Sequence, residues 1–266
     1  MCRGHLRSSK VIRREEKKGW VLINQHDHAE LAGDIMKYWG DDSFARPNPY
    51  DEVLFAIREH DNGWREWDSS PKVNPGNKYP MNFLEMSSSD QAEIWRRCFT
   101  RHSLEHPYAS MLIALHFGKL NEKSLNNHSN KGTARTSHTE IIDFVSGMLK
   151  INISNLDLES FPGDVRVNLR LVQIGDVISL ALCHGWNSIK IKDVPLEYNG
   201  RVTTLSLKSS DGGNYTIDPY PFAEPLINLR LRSRRLNQKK FSRDEELRDA
   251  LRQSKYETLV FSIRKE

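Results

Sequence analysis

Apolar residues recur every three or four positions through the middle of the chain and every second position near both ends. Helices are therefore predicted centrally and strands peripherally. At the N-terminal end, Val11-Ile12-Arg13-Arg14-Glu15-Glu16 and Trp20-Val21-Leu22-Ile23 flank Lys17-Lys18-Gly19 and predict a short β-hairpin. His28, Leu31, Ala32, Ile35, Met36 and Trp39 then share one helical face, and Gly40-Asp41-Asp42 ends that helix. A second helix follows Pro47-Asn48-Pro49-Tyr50-Asp51, with Asp51 as its cap and Val53, Leu54, Ile57 and His60 on one side. Gly63 to Met81, rich in Trp, Pro, Gly and Asn, reads as a long loop. Ser87 to Arg101 reads as a capped amphipathic helix carrying Ile94, Trp95, Cys98 and Phe99.

Tyr108 to Phe117 is a mostly apolar helix that Gly118 is expected to end, and the polar stretch Asn121 to Ser137 reads as a mobile insertion. Thr139 to Leu149 and Val165 to Cys183 are further helices, the latter apolar on most of its circumference around Asp176. Past Gly185 the period changes to two. Ile189 to Ile191, Val202 to Leu207, Tyr215 to Ile217 and Leu226 to Leu231 alternate like strands, with Asp211-Gly212-Gly213-Asn214 as a hairpin turn. Ser242 to Ser254 is a short charged helix and Thr258 to Ile263 a last strand. The expected fold class is mainly α: a helical core with a short N-terminal β-hairpin over residues 1–185, and a β-rich C-terminal region over 186–266 packed on it.

Composition narrows this picture modestly. A chain of 266 residues with 38% hydrophobic and 9% aromatic residues can bury a full core and is not disordered. No apolar run reaches the roughly 18 residues that a membrane helix needs. Met1-Cys2-Arg3-Gly4-His5 lacks a following apolar stretch, so no secretory signal is expected. Cys2, Cys98 and Cys183 are odd in number and widely spaced, which argues against a disulfide framework or a cysteine zinc site and for a cytoplasmic, reduced protein. The net charge of +4 gives no reason to expect nucleic acid.

The candidate chemistry lies in Gln25-His26-Asp27-His28, His60-Asp61 and Asp176. Imidazole nitrogen and carboxylate oxygen on stiff helices are what a divalent transition metal takes. Taken singly, a His-Asp pair also marks a solvated helix end, and a lone buried Asp a cap or an arginine partner. Trp64, Trp67, Tyr79 and Phe83 are candidates to wall a substrate pocket or to pack their own loop.

In that order (a histidine on one helix, His-Asp closing the next, an Asp in a late apolar helix) the residues resemble the HD-domain superfamily of metal-dependent phosphohydrolases. The strings Gln-His-Asp-His, Glu-His-Asp-Asn-Gly-Trp-Arg-Glu-Trp, Pro-Tyr-Ala-Ser-Met-Leu-Ile-Ala-Leu-His and Asp-Pro-Tyr-Pro-Phe are more closely similar to an uncharacterised bacterial family, one of the domains of unknown function, over nearly the whole chain. The resemblance implies an HD-like helical core whose metal ligands are His28, His60, Asp61 and Asp176, with His26 as rival to His28. It implies one divalent transition metal, Mn, Fe, Zn or Co, in preference to two. His102, His106 and His116 are the histidines from which a second metal would draw. His26, Asp68 and His116 are the candidates for proton transfer. The expected function is hydrolysis of a small phosphorylated or nucleotide-like substrate. An HD-type di-iron oxygenase, or a metal-binding or ligand-sensing module without turnover, are the alternatives. A small-molecule substrate is the expected partner, a homodimer is allowed, and a membrane is not expected.

The basic run Arg230, Arg232, Arg234, Arg235, Lys239 and Lys240 reads as a solvated edge that discourages sheet aggregation, with a phosphate-rich ligand as the sharper alternative. No phosphate-cradling glycine loop, dinucleotide fingerprint or Gly-x-Ser-x-Gly elbow is present, so nucleophilic serine or cysteine catalysis has no support.

Overall fold

The computed structural model describes residues 12–41, 43–82, 85–125, 131–157 and 161–266. Cys2, Val11, Asp42 and Phe83, and the 126–130 part of the expected insertion, lie outside them.

Strands from both ends of the chain join in one sheet. The hairpin β1 (Ile12–Glu15) and β2 (Trp20–Ile23) meets β3 (Ser188–Pro195), β4 (Val202–Asp211), β5 (Asn214–Asp218), β6 (Leu226–Leu236) and β7 (Tyr256–Lys265) in the order β1-β2-β6-β7-β5-β4-β3. All pairings are antiparallel except the parallel β5 and β7. The expectation of a mainly α fold with a β appendage is thereby corrected to α/β. The physical reason lies in β2, whose four residues are all buried. Val21 and Ile23 face the main core, whereas Trp20 and Leu22 face a second apolar cluster with Val73, Leu236, Phe241 and Leu247. Such two-sided burial marks an interior strand, and β2 is held between β1 and β6 with Trp20 opposite Leu236.

The helices are α1 (Gln25–Met36), α2 (Tyr50–Glu59), α3 (Arg65–Ser69, entered by a 3-10 turn at Asn62–Trp64), α4 (Ser88–Thr100), α5 (Pro107–Leu125), α6 (Lys131–Leu149), α7 (Gly163–His184) and α8 (Asp244–Gln253). α1 packs on β6 and α7 on β1 and β3, α2 packs on α1, α5 and α7, α5 packs on α7, and α4 and α6 flank α5. The amphipathic α8 lies on the other face of the sheet, burying Leu247 beside Leu236.

Four local expectations change. α2 begins at Tyr50 with Pro49 in the cap position and no side-chain cap hydrogen bond, so Asp51 lies within the first turn and is not the cap. α5 runs through Gly118, where a side-chain carbon would sit 2.4 Å from Leu156 Cδ1, so the glycine makes room for packing and does not end the helix. The stretch expected as a mobile insertion is helical on both sides of the undescribed residues, and buried Asn121 ties α5 to α6 through a 2.7 Å hydrogen bond to the Ala134 carbonyl. The expected loop after Gly63 opens with helical turns. The cap of α4 is as expected, with the Ser87 hydroxyl accepting from the Asp90 N–H.

Candidate metal centre

Four helices bring five titratable side chains together. α1 contributes His28 from its buried face. His60 and Asp61 follow α2 directly, and α7 contributes Asp176. His116 comes from α5. Local sequence holds each in place. After His60-Asp61, the Asn62 amide donates to the carbonyls of Glu59 (2.7 Å) and Cys98 (2.9 Å), and the Gly63 N–H reaches Cys98 Sγ at 3.2 Å. A side-chain carbon at Gly63 would meet the Ile94 carbonyl at 2.3 Å, so only glycine lets this turn seat against α4. Gly175 likewise leaves room for Ile57 and Met36, bringing α7 close to α1 and α2 beside Asp176.

Hydrogen bonds decide which ring nitrogen of each histidine faces the centre. The Ser179 hydroxyl donates to the Asp176 carbonyl (2.9 Å) and so can only accept from His28 Nδ1–H, at 3.1 Å. His28 then turns Nε2 toward Asp61 Oδ2, 2.9 Å away. His60 donates Nδ1–H to the Ile57 carbonyl at 2.7 Å. Its Nε2 is buried without a hydrogen bond, 3.6 Å from Asp176 Oδ1 and 3.9 Å from Asp61 Oδ2. The unbonded Nε2 of His60 and the carboxylates of Asp61 and Asp176 therefore converge beside the His28 Nε2–Asp61 hydrogen bond, an arrangement of electron donors that a positive charge between them would balance. Histidines that ligate metals are oriented in this way, with the second ring nitrogen bonded to a carbonyl or hydroxyl.

Donor atoms of His28, His60 and Asp176 all lie within 4.8 Å of one another. Asp176 presents its other oxygen, Oδ2, to His116 Nε2 at 3.6 Å. The carboxylates carry the access to solvent: the side chains of Asp176 and Asp61 are 16% and 10% exposed, against 1% for His60.

The electrostatics agree with the geometry. Burial alone would lower the His60 pKa, but the carboxylates of Asp61 and Asp176 outweigh it and raise it to about 9. Burial alone would raise the Asp176 pKa, but His60, with His116 and His28 behind it, holds that carboxyl well below its ordinary range. Burial lowers His116 to about 4, leaving it neutral. Without a metal the cluster recruits a proton onto His60, the position at which an ion would bring its charge.

The other sequence candidates lie outside this cluster. His26 accepts from the Arg65 guanidinium at 2.7 Å and faces Glu30, and burial with Arg65 lowers it to about 4. Asp68 caps α1, accepting the Gln25 N–H at 3.0 Å, and burial raises its carboxyl well above the ordinary value. His106 stacks on Phe55 and pairs with Glu52, and His102 lies against Phe55 and Glu59. Trp64 is buried in the core, Trp67 stacks with Lys72, and Tyr79 packs on Trp20. Sequence reasoning missed Ser179, whose signal is a lone hydroxyl three residues after Asp176 on the same face of an apolar helix.

Among known proteins, neither the curated sequences nor the solved structures include a match. A family model described as a protein of unknown function, DUF3891, matches residues 11–238. That span takes in every residue of the cluster, and the chain belongs to the DUF3891 family.

Proposed function

We propose that this chain is a metal-dependent hydrolase acting on a small phosphorylated or nucleotide-like substrate. The observation that carries the reading is the buried, unbonded Nε2 of His60 among Asp61, Asp176 and the Nε2 edge of His28. Two imidazoles and two carboxylates suit Mn, Fe, Zn or Co. The order of these residues along the chain resembles the HD ligand set, here carried on an α/β fold. His28, His60, Asp61 and Asp176 would hold the ion, which when bound polarises a phosphoryl oxygen and lowers the pKa of water. Ser179 and the Ile57 carbonyl orient the two imidazoles, and the partly exposed carboxylate edge admits the substrate. Of the three proton-transfer candidates, His116 alone touches a ligand residue. Its neutral ring, 3.6 Å from Asp176, is the acceptor for a proton released at this edge.

One observation favours a second reading. Asp176 offers one oxygen to His60 and the other to His116, as a carboxylate shared by two irons would. The readings separate by oxidation chemistry. Protein purified without chelators or a histidine tag should release phosphate from a panel of nucleotides and phosphomonoesters with Mn²⁺ or Co²⁺, equally in air and under argon. Iron in a two-to-one ratio with activity lost anaerobically would support the oxygenase. Retained metal with no turnover of either kind would leave a sensing module, and absence of retained metal would overturn all three.

A further inference from the structure

The basic run of β6 has a different setting from the one its sequence suggests. As an edge strand it would resist aggregation, but β6 is interior, hydrogen-bonded to β2 on one side and β7 on the other. No edge is there to protect. Ile227, Leu229 and Leu231 point into the helical core, so Arg230, Arg232 and Arg234 point to the opposite face. The register carries that face across the sheet. Arg232 lies opposite Thr258, Arg234 opposite Tyr256, Arg264 beside Thr216, Lys208 opposite Thr216 and Lys190 opposite Ser206. Asp218, opposite Ser206, brings a carboxylate to the same face. On these strands the six cations stand with the carboxylates of Asp211 and Asp218, and α8, lying on the same face at its Leu236 end, adds Asp244, Glu245, Glu246 and Asp249 beside Arg248 and Arg252.

On the helical side Arg96 pairs with Glu140, Arg97 with Glu93 and Arg101 with Glu66. On the sheet face Lys208 meets Glu266, whereas Lys190, Arg230, Arg232 and Arg264 have no carboxylate within ion-pairing distance among the described residues. Arg232 influences Asp27 through space without pairing with it. Arg232 and Arg234 lie 4.1 and 4.0 Å from the centre of the Tyr256 ring, and Arg234 also donates to the Leu251 carbonyl. Guanidinium groups held in this way lose less freedom on binding an anion.

We infer that this sheet face binds single-stranded nucleic acid along its phosphate backbone. Lysine and arginine interleaved with Thr216, Thr258, Ser262 and Asn228 are the donors that phosphodiesters take. A broad sheet face cannot enter a duplex groove but can carry a single strand laid across it. The exposed apolar side chains of this face, Val202, Leu226, Tyr256 and Val260, are spread over β4, β6 and β7 with charged and polar positions between them, not gathered into the apolar centre of a protein interface or a membrane-entering patch. The inference is independent of the metal centre, which lies among the helices.

The test is fluorescence anisotropy of the full chain with a labelled single-stranded oligonucleotide over a series of NaCl concentrations. Binding should weaken with salt. The double variant Arg230→Ser/Arg232→Ser should reduce the slope of log K against log[salt] by about 1.4, roughly 0.7 for each phosphate no longer neutralised. Arg230→Lys/Arg232→Lys should restore the slope, and Arg96→Ser should bind as the unaltered protein does. Should the serine variant not fold, Lys190→Ser/Lys208→Ser across the sheet gives the same readout. An unchanged slope in a folded serine variant, no salt-sensitive binding, or binding to phosphatidylserine vesicles but not to the oligonucleotide would overturn the inference.

Discussion

His60 turns a buried Nε2, free of any hydrogen bond, toward Asp176 Oδ1 at 3.6 Å. The polar group that compensates Asp176 in its apolar helix is thus a histidine whose other nitrogen is fixed by the Ile57 carbonyl, not an arginine. Asp176→Asn keeps the shape and removes the charge. It should cut metal affinity by at least about tenfold while shifting the melting temperature little, because the amide can still accept at this edge. Metal titration and thermal melting of that variant check both halves. A large loss of stability with unchanged metal content would show that Asp176 is structural.

Ser179→Ala removes the hydroxyl that fixes the His28 tautomer without touching a donor atom of the cluster. Metal affinity should fall by about 10–100-fold, the usual effect of losing a group that orients a ligand. The same change in affinity should not follow His26→Ala, since His26 is turned to Arg65. Equal losses from the two variants, measured by competition with a chelating dye, would argue against His28 as the ligand of this pair.

The metal-free protein should lose stability on acidification. His26, His116 and His184 have folded pKa values lowered from 6.5 to about 4, so their contribution is complete above pH 6.5 and falls away as pH drops toward 4. His60 has the opposite sign. Its pKa is raised to about 9, so its contribution is present below 6.5 and is lost as pH rises through 9. Metal must displace that proton, and affinity should therefore climb with pH up to about 9. Melting curves and metal titrations across this range read both effects.

Gly63→Ala should destabilise the fold by about 1–3 kcal/mol, because its new carbon meets backbone at Ile94. Gly118→Ala should cost less, since the obstructing atom is the end of the Leu156 side chain, which can move. Denaturant midpoints order the two, and the reverse order would contradict the packing described at the turn after Asp61.

Where signals are local, sequence and structure agree: the Ser87 cap, the Asp211 to Asn214 hairpin turn, and the helical placing of His28, His60 and Asp176. Pairings between distant segments were not legible. Trp20 opposite Leu236 joins residues at opposite ends of the chain, and no periodicity records that meeting. Gly118 shows the converse failure, since a glycine that ends a helix and one that admits a neighbour look alike in sequence. In the cluster the ligand types were readable, but the partners that orient them were not: one is a backbone carbonyl and the other a single serine.

The most direct measurement is the metal content, by elemental analysis, of the unaltered protein and of His60→Gln purified in parallel without chelators. The account predicts bound transition metal in the first and near-complete loss in the second, with unchanged circular dichroism. A metal-free unaltered protein, or equal metal in both, would contradict it.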